Sequence, residues 1–166
     1  EVGITEKPEE TGETCEENAI LKAKFYYEKS SGMPTLADDG GLEIDALGGE
    51  PGPRSRRWPG HEATDEELVQ YTIERMAGIP LQKRTAKFVA VLAVATGSGE
   101  VRTFRGELKG RIEEKPVYPI IPGYPFRSLF YEFQTGKVLA ELSLEELPNG
   151  HREQAIAKAL PYLLSL

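Results

Sequence analysis

The chain has 166 residues, 39% of them hydrophobic, and its 27 acidic and 20 basic side chains leave a net charge of -7. This length suits one domain with a real core, and no apolar run approaches the roughly 20 residues of a membrane span. The negative charge argues against nonspecific nucleic-acid binding, which needs a basic face. The single cysteine, Cys15, allows no intramolecular disulfide and favours a reducing compartment, so we expect a cytoplasmic protein without nucleic-acid or membrane partners.

The first part of the chain predicts a loop, a helix and a strand. Residues 1–13 are polar and punctuated by glycine, which is typical of a loop. Thr14 and Glu17 have the spacing of a capping box, and the residues after them predict a helix over about residues 15–30. In ADDGGLEIDALGG, residues 37–49, the Asp-Asp-Gly-Gly sequence predicts a turn that leads into a half-buried, alternating strand.

The middle of the chain predicts a helix and a hairpin. Thr64 and Glu67 repeat the capping-box spacing and open a second helix that should end at Gly78. Residues 87–95 are rich in β-branched and small apolar side chains, and GSGE separates them from residues 101–112. This pattern predicts a β-hairpin.

The last part predicts a loop, a short strand and a helix. Residues 116–126 hold four prolines, which suits an ordered loop, and LFYEF after them predicts a short strand. Ser143 begins another capping pattern, and Pro161 should kink or shorten the final helix. The buried stripe of that helix should contain Ala155, Ile156, Ala159, Leu160 and Leu163. Together these elements predict an α/β domain with a mixed sheet.

The acidic residues support two interpretations each. Carboxylate oxygens are the ligands that magnesium prefers, so the acidic clusters can form a metal site. Alternatively, acidic residues in a first helical turn interact with the helix dipole, Glu17 completes the capping box, and Asp-Asp-Gly-Gly is a turn. The clusters contain Glu9, Glu10, Glu13, Glu16 and Glu17 near the first helix, and Asp38 and Asp39 after it.

The basic residues are equally ambiguous. Arg54, Arg56 and Arg57 lie in a glycine- and proline-rich loop, while His151 and Arg152 follow Gly150 at a predicted helix start. A helix N-terminus offers backbone N–H groups to an anion, which suits a phosphate or base contact. The alternative is a solvated helix start.

The order of several motifs is more specific than any of them alone. EETG is followed by T-x-x-ENAxxKA, PxLADDxGLxxDALGGxPG, a Ser-x-Arg-aromatic step, a Gly-Tyr proline loop, GKxxAEL and finally His-Arg before a helix. This series resembles the inosine triphosphate pyrophosphatase family along the whole chain. The block over residues 34–52 is its most specific part.

The resemblance implies a long mixed sheet flanked by helices, with two lobes and a central cleft, usually in a homodimer. It implies one domain over residues 1–166 that hydrolyses ITP, XTP or dITP to the monophosphate and pyrophosphate with Mg2+. A carboxylate-held metal would screen and orient the polyphosphate while a nearby carboxylate activates water. A second possibility is a catalytically silent nucleotide-binding or dimerisation module on the same fold.

The resemblance also assigns roles by position. Asp39 matches the family's base and metal partner, Glu9 matches its other metal ligand, and Glu10 and Glu17 are neighbouring candidates for the metal. The His151–Arg152 pair matches the residues that read the six-position oxo group of the purine. Lys137 matches the lysine of the GKxxAE segment, for which a surface role is the alternative. The implied substrate-binding residues are Asp38, Gly40, Pro122, Gly123, Tyr124, Pro125, Lys137, His151 and Arg152.

The chain departs from the family pattern in four places. The family begins with a strand and a triphosphate-holding T-x-N-x-x-K loop, so we expect a chain that is incomplete at its N-terminus relative to the family. Gly40 replaces a serine that contacts substrate. Pro122 and Pro125 replace the stacking aromatic and the base-contacting aspartate of the F-G-Y-D-P loop. Leu147 replaces a lysine, and Gly150 replaces the serine before the His-Arg pair.

Overall fold

The computed structural model describes residues 3–97, 99–143, 145–147 and 149–166. Three α-helices and six β-strands account for the regular structure of these residues, and short 3-10 turns connect several of them. None of the described helices is long and apolar enough to cross a membrane. In chain order the elements are α1 (Cys15–Lys29), β1 (Thr35–Ile44), β2 (Pro51–Gly52), α2 (Asp65–Arg75), β3 (Thr85–Ala95), β4 (Val101–Ile112), β5 (Phe130–Glu132), β6 (Lys137–Val138) and α3 (His151–Leu163).

The six strands form one sheet in the order β2-β1-β3-β4-β5-β6. β3 is central, pairing along its length with β1, from Thr35 opposite Ala95, and with β4 in the predicted hairpin. The α/β class is therefore confirmed, but every strand pair among the described residues is antiparallel, whereas the sequence predicts a mixed sheet. Short connections such as those between β3 and β4 and between β5 and β6 can join only antiparallel neighbours.

The helices cover both faces of the sheet. Because successive side chains of a strand point to opposite faces, β3 presents Val89 and Val91 to α1 and presents Leu92 to α3. The second helix packs on the same face as α3, where Leu68 joins a core with Leu42 and other large apolar side chains. We refer below to the α1 face and the α3 face of the sheet.

Gly106 on β4 allows α3 to lie close to the sheet. A Cβ atom at Gly106 would be 1.9 Å from the carbonyl oxygen of His151 and 2.8 Å from the amide nitrogen of Ala155. The sequence predicts a broad buried stripe on α3, but only Ala155 and Ala159 of that stripe are fully buried. At so short a separation the sheet accommodates alanines, so the larger Ile156 and Leu160 lie at the edge of the contact and are 51% and 48% exposed.

The Asp-Asp-Gly-Gly sequence is not a turn, as the sequence predicts, but part of β1. Its glycines have no positive φ and serve close backbone approach instead. A Cβ at Gly41 would be 2.1 Å from the carbonyl oxygen of Gly52, and one at Gly40 would be 2.7 Å from that of Val89. The strand therefore continues through both aspartates because its glycines fit against the neighbouring strands.

The helix caps follow the sequence closely. Both predicted capping boxes form, at Thr14 with Glu17 and at Thr64 with Glu67, although α2 ends at Arg75 rather than at Gly78. Ser143 and Glu146 make reciprocal capping bonds, but a turn rather than a helix follows them, and Leu144 lies outside the described residues. Pro161 lies inside α3, which continues through it to Leu163, so the proline does not end the helix.

Candidate active site

The two adjacent aspartates of β1 serve opposite faces of the sheet. The Asp39 carboxylate accepts a hydrogen bond from Lys22 of α1 at 2.7 Å, so it lies on the α1 face. The Asp38 carboxylate accepts one from Arg152 of α3 at 3.2 Å, so it lies on the α3 face. Strand alternation thus separates two carboxylates that are neighbours in sequence.

Asp39 belongs to a row of three charged groups in which the Lys22 ammonium lies between the carboxylates of Asp39 and Glu10. The Lys22 Nζ atom is 2.7 Å from Oδ1 of Asp39 and 3.3 Å from Oε1 of Glu10. The other carboxylate oxygen of Asp39, Oδ2, is buried and has no hydrogen-bond partner in the structure. Since a buried oxygen without a partner is costly, this atom is suited to a ligand that supplies positive charge or a proton.

Burial dominates the electrostatics of Asp39, whose residue surface is only 9% exposed. Loss of hydration raises the pKa of the Asp39 carboxyl above its usual value, and the hydrogen bond and charge of Lys22 offset only part of that effect. The pKa of Lys22 is raised as well, despite its own burial, because Asp39 and Glu10 both favour the charged ammonium. A carboxylate with a raised pKa is a better general base than an exposed one.

The loop before α1 is held so that Glu10 meets Lys22. The amide of Gly12 donates to Oδ1 of Asn18, a buried residue of α1, at 2.8 Å. Lys22 follows Asn18 by one helical turn, so the loop that contains Glu10 lies beside the Lys22 ammonium. Glu17 is occupied by the cap, because its Oε2 accepts from the amides of Glu13 and Thr14.

The donor set that the structure describes offers a divalent metal ion two carboxylates at most. Among the described residues no three Asp, Glu, His or Cys side chains form a ready cage for a metal. Magnesium is nevertheless commonly bound by one or two carboxylates together with substrate phosphates. Glu10 and Asp39 already converge on one cation, the Lys22 ammonium, and the unpartnered Oδ2 of Asp39 fits a further one.

A cavity of about 450 Å³ lies on the α3 face, within the usual size range of small-molecule sites. Gly40 and Phe88 contribute its floor on the sheet, and the start of α3 forms one wall. The opposite wall comes from residues 123–127, at the end of the proline-rich loop. The cavity thus contains six of the predicted substrate-binding residues, which are Gly40, Gly123, Tyr124, Pro125, His151 and Arg152.

His151 is held in this cavity as a neutral ring. Its imidazole stacks on Phe88 with 5.5 Å between centroids and 19° between planes. Burial, followed by the charge of Arg152, lowers the pKa of His151 to about 4. Nη1 of Arg152 is 3.4 Å from Nε2 of His151, and because a guanidinium can only donate, this contact favours a proton on Nδ1. Nδ1 is buried and has no partner in the structure, so it is a donor available to a ligand oxygen.

The wall opposite α3 is tied to the start of α2. Asp65, the first residue of α2, accepts from the amide of Gly123 at 2.6 Å and from Arg56 at 2.7 Å. Burial is the largest single effect on the pKa of the Asp65 carboxyl and raises it, but the two hydrogen bonds and the charge of Arg56 together outweigh burial and lower the pKa. This clamp fixes the cavity wall relative to the sheet.

Three predicted substrate-binding residues lie outside the cavity lining. Asp38 reaches it indirectly through Arg152, and Pro122 precedes the lining segment. Lys137 is exposed and pairs with Glu146 at 2.7 Å, in agreement with the surface alternative.

Comparison with known proteins adds to this geometry. The model of the Ham1 family matches residues 1–162. The chain belongs to the Ham1 family. This membership confirms the resemblance seen in the motifs.

Curated relatives and a solved Ham1 structure are similar over most of their length. The dITP/XTP pyrophosphatase of Symbiobacterium thermophilum is 44% identical over 160 residues, which are 95% of this chain and 77% of the relative. That of Thermus thermophilus is 44% identical over 154 residues, covering 92% of this chain and 72% of the relative. The structure of the Staphylococcus aureus Ham1 protein superimposes with a TM-score of 0.85 at 32% identity, covering 97% of this chain and 82% of the other.

The structure also adds residues to the site of this Ham1 protein that the sequence reasoning missed. Lys22 stands in the ENAxxKA motif, but the motif alone assigns no role to the lysine. Phe88 has the pattern of an ordinary strand residue, and only the tertiary fold brings it beneath His151. Arg127 follows the proline loop and lines the cavity, and no local pattern marks it.

Proposed function

We propose that this Ham1 protein hydrolyses the non-standard purine nucleoside triphosphates ITP, XTP and dITP to the monophosphate and pyrophosphate. One observation carries the proposal. Two consecutive residues of β1 lie at the two parts of the site: Gly40 lines a cavity large enough for a base, and Asp39 has a buried carboxylate oxygen without a hydrogen-bond partner. Within the described residues β2 pairs only with Leu42 and Glu43, and Gly41 packs against Gly52, so the backbone of residues 38–40 lies at the sheet edge. A nucleotide that leaves the cavity past Gly40 meets Asp39 directly.

The base is read on the α3 face. The unpartnered Nδ1 of His151 and the guanidinium of Arg152 are both donors, which suits the six-position oxo group of hypoxanthine or xanthine. Adenine has an amino group at that position, which is itself a donor and cannot accept a hydrogen bond from His151 or Arg152. Asp38 orients Arg152, while Gly40, Gly123, Tyr124 and Pro125, with Pro122 beside them, enclose the base.

The reaction takes place on the α1 face. Asp39 and Glu10 are the residues that would hold Mg2+, with Glu9 as a further candidate from the motif, whereas Glu17 is occupied by the helix cap and Lys137 by its pair with Glu146. When bound, such an ion would supply positive charge that screens and orients the polyphosphate. Lys22 keeps Asp39 ionised in spite of its burial, and Asp39 accepts a proton from the attacking water.

We further propose that the protein acts as a homodimer in a reducing, cytoplasmic compartment. The outer side of α3 and the residues after it expose large apolar side chains, and such patches commonly mark contacts between proteins. The exposed fractions are 51% for Ile156, 48% for Leu160, 80% for Leu164 and 62% for Leu166. Sedimentation of the wild type against Leu160→Glu tests this point, since an unchanged dimer would place the interface elsewhere.

The test of the activity is pyrophosphate release from ITP, XTP, dITP and the four standard ribonucleotides, with Mg2+ and with a chelator. We expect release from the first three substrates, and none after chelation. Absence of release from every nucleotide at high protein concentration would contradict the proposal. It would instead support a silent nucleotide-binding module.

A further inference from the structure

Arg127 is the feature of the cavity that the proposed function does not use. It lies in the 3-10 turn Pro125–Ser128, and its guanidinium stacks over the ring of Tyr124 at 4.7 Å. Two hydrogen bonds hold the turn, from the amide of Arg127 to the carbonyl of Tyr124 and from the hydroxyl of Ser128 to that of Pro125. The side chain is therefore presented from a rigid segment.

Arg127 differs from the other arginines of the cavity in its partners. Arg56 is paired with Asp65, and Arg152 is paired with Asp38. Within the part of the chain that the structure describes, the Arg127 side chain has neither an ion pair nor a hydrogen bond, only the ring of Tyr124. Glu153, the acidic residue of the cavity lining, lies on α3 with its carboxylate beside Gly150.

An unpaired guanidinium in a cavity wall can form hydrogen bonds with acceptor groups of a ligand but not with donor groups. Arginine carries five N–H donors and no acceptor, and it is charged at all accessible pH values. Its charge reaches His151, since Arg127 is one of the groups that lower the pKa of that imidazole. Arg127 and the His151–Arg152 pair line the same cavity and can therefore contact one ligand.

Purine bases differ at position two in the property that arginine detects. Positions six and two lie on the same edge of a purine and flank N1. A base whose six-oxo group contacts His151 and Arg152 therefore presents position two beside them, and Arg127 is close enough to His151 to lower the pKa of its imidazole. Hypoxanthine has only a hydrogen at position two, guanine has an amino donor, and xanthine has a carbonyl acceptor. Xanthine is also the most acidic of these bases, and its anion interacts most strongly with a cation. A donor-only side chain thus distinguishes all three.

We propose that Arg127 is a specificity-determining residue that donates to the two-oxo group of xanthine and makes XTP the preferred substrate. This inference rests on the proposed function, because it uses the same cavity and the same orientation of the base. It assigns the order XTP, then ITP, then GTP. The expected ratio of kcat/KM between XTP and ITP is about ten- to a hundred-fold, the usual range for one hydrogen bond to a charged group.

The test is the ratio of kcat/KM for XTP to that for ITP in the wild type, in Arg127→Gln and in Arg127→Lys. We expect Arg127→Gln to reduce the ratio about ten-fold or more, because the loss for XTP exceeds any loss for ITP. Arg127→Lys should retain part of the preference for XTP, since lysine keeps the positive charge but lacks the planar set of donors of the guanidinium. Equal losses for both substrates, or a wild type without preference for XTP, would overturn the proposal.

Arg102→Gln is the matched control. Arg102 also stacks on a tyrosine, Tyr162, at 4.5 Å, but it does not line the cavity. This variant removes the same side chain and the same kind of ring contact, so it should leave the ratio unchanged. A change as large as that of Arg127→Gln would show that the effect is structural.

Binding of the monophosphates separates this proposal from the proposed activity. Titration calorimetry with XMP and IMP needs no turnover, so it measures base selection even in a protein that hydrolyses nothing. We expect XMP to bind about ten-fold or more tightly than IMP, and this difference to be lost in Arg127→Gln. Equal affinities in the wild type would refute the role of Arg127, whatever the hydrolysis assays show.

Discussion

The two faces of the sheet carry different chemistry, although β1 contributes to both. On the α1 face Asp39, Lys22 and Glu10 form a chain of charges around a carboxylate oxygen that has no partner. On the α3 face Phe88 and His151 form part of a cavity with a mixed polar and apolar lining and with donors at its walls. One face is suited to phosphate chemistry and the other to recognition of a flat base.

The difference shows how one strand can serve two tasks. Asp38 and Asp39 are adjacent in sequence, yet they are hydrogen-bonded to helices on opposite sides of the sheet. Gly40 and Gly41 then let the strand approach its neighbours too closely for any side chain. In the proposed function, reaction and recognition are coupled through the backbone of β1 and are otherwise separable, so variants of each face should fail in different ways.

The largest expected effect follows from Asp39→Asn. The amide cannot act as a base, so kcat should fall by about 10²- to 10⁴-fold. The melting temperature should not fall, because burial already disfavours the charged form of Asp39. Steady-state pyrophosphate release and thermal unfolding measure the two quantities. A variant that keeps wild-type kcat would remove Asp39 from the reaction.

Gly106→Ala should disturb the α3 face while sparing the α1 face. The added methyl group meets the backbone of α3 at His151, and overpacking of this kind typically costs about 1 to 3 kcal/mol of unfolding free energy. We expect a raised KM together with this loss of stability. Gly97→Ala is the control, since a Cβ there meets nothing within 4 Å. Equal effects of the two substitutions in denaturant titrations would contradict the close packing of α3.

The pH dependence of stability should report His151. Its pKa is about 4 in the folded protein and near 6.5 when unfolded, so the unfolded state binds the proton more readily. Stability from this group is complete above about pH 6.5 and is lost as the pH falls towards 4. Unfolding measured across this window should be flatter in His151→Gln than in the wild type. An identical slope would show that the ring is not held neutral.

Asp38→Asn should have the smallest effect. Its ion pair with Arg152 is about half exposed on both sides, and such pairs contribute at most about 1 kcal/mol. We expect KM to rise by no more than about five-fold, with kcat unchanged. A loss of kcat comparable to that of Asp39→Asn would contradict the assignment of the two aspartates to different faces.

Local signals in the sequence are sufficient for most of the fold. Both capping boxes, the hairpin and the proline loop depend on residues close together in the chain, and each is present. The Asp-Asp-Gly-Gly segment misleads because turns and closely packed strands both favour glycine, and only the position of Gly52 and Val89 distinguishes them. The predicted α3 stripe is too broad because helix periodicity does not reveal how near the sheet lies.

The candidate site is predictable where a motif contains it and not where the fold assembles it. Asp39, Glu10, His151 and Arg152 stand in recognisable motifs. Phe88 and Arg127 come from distant segments that meet only across the cavity. The separation of Asp38 from Asp39 follows from strand alternation, but only once the segment is known to be a strand.

The separation of the two faces is tested most directly by the dissociation constant of IMP, measured by calorimetry on the wild type, Asp39→Asn and Arg152→Gln. The account predicts that Asp39→Asn binds IMP within about two-fold of the wild type, whereas Arg152→Gln binds about ten-fold more weakly or worse. A loss of IMP binding in Asp39→Asn as large as that in Arg152→Gln would contradict it.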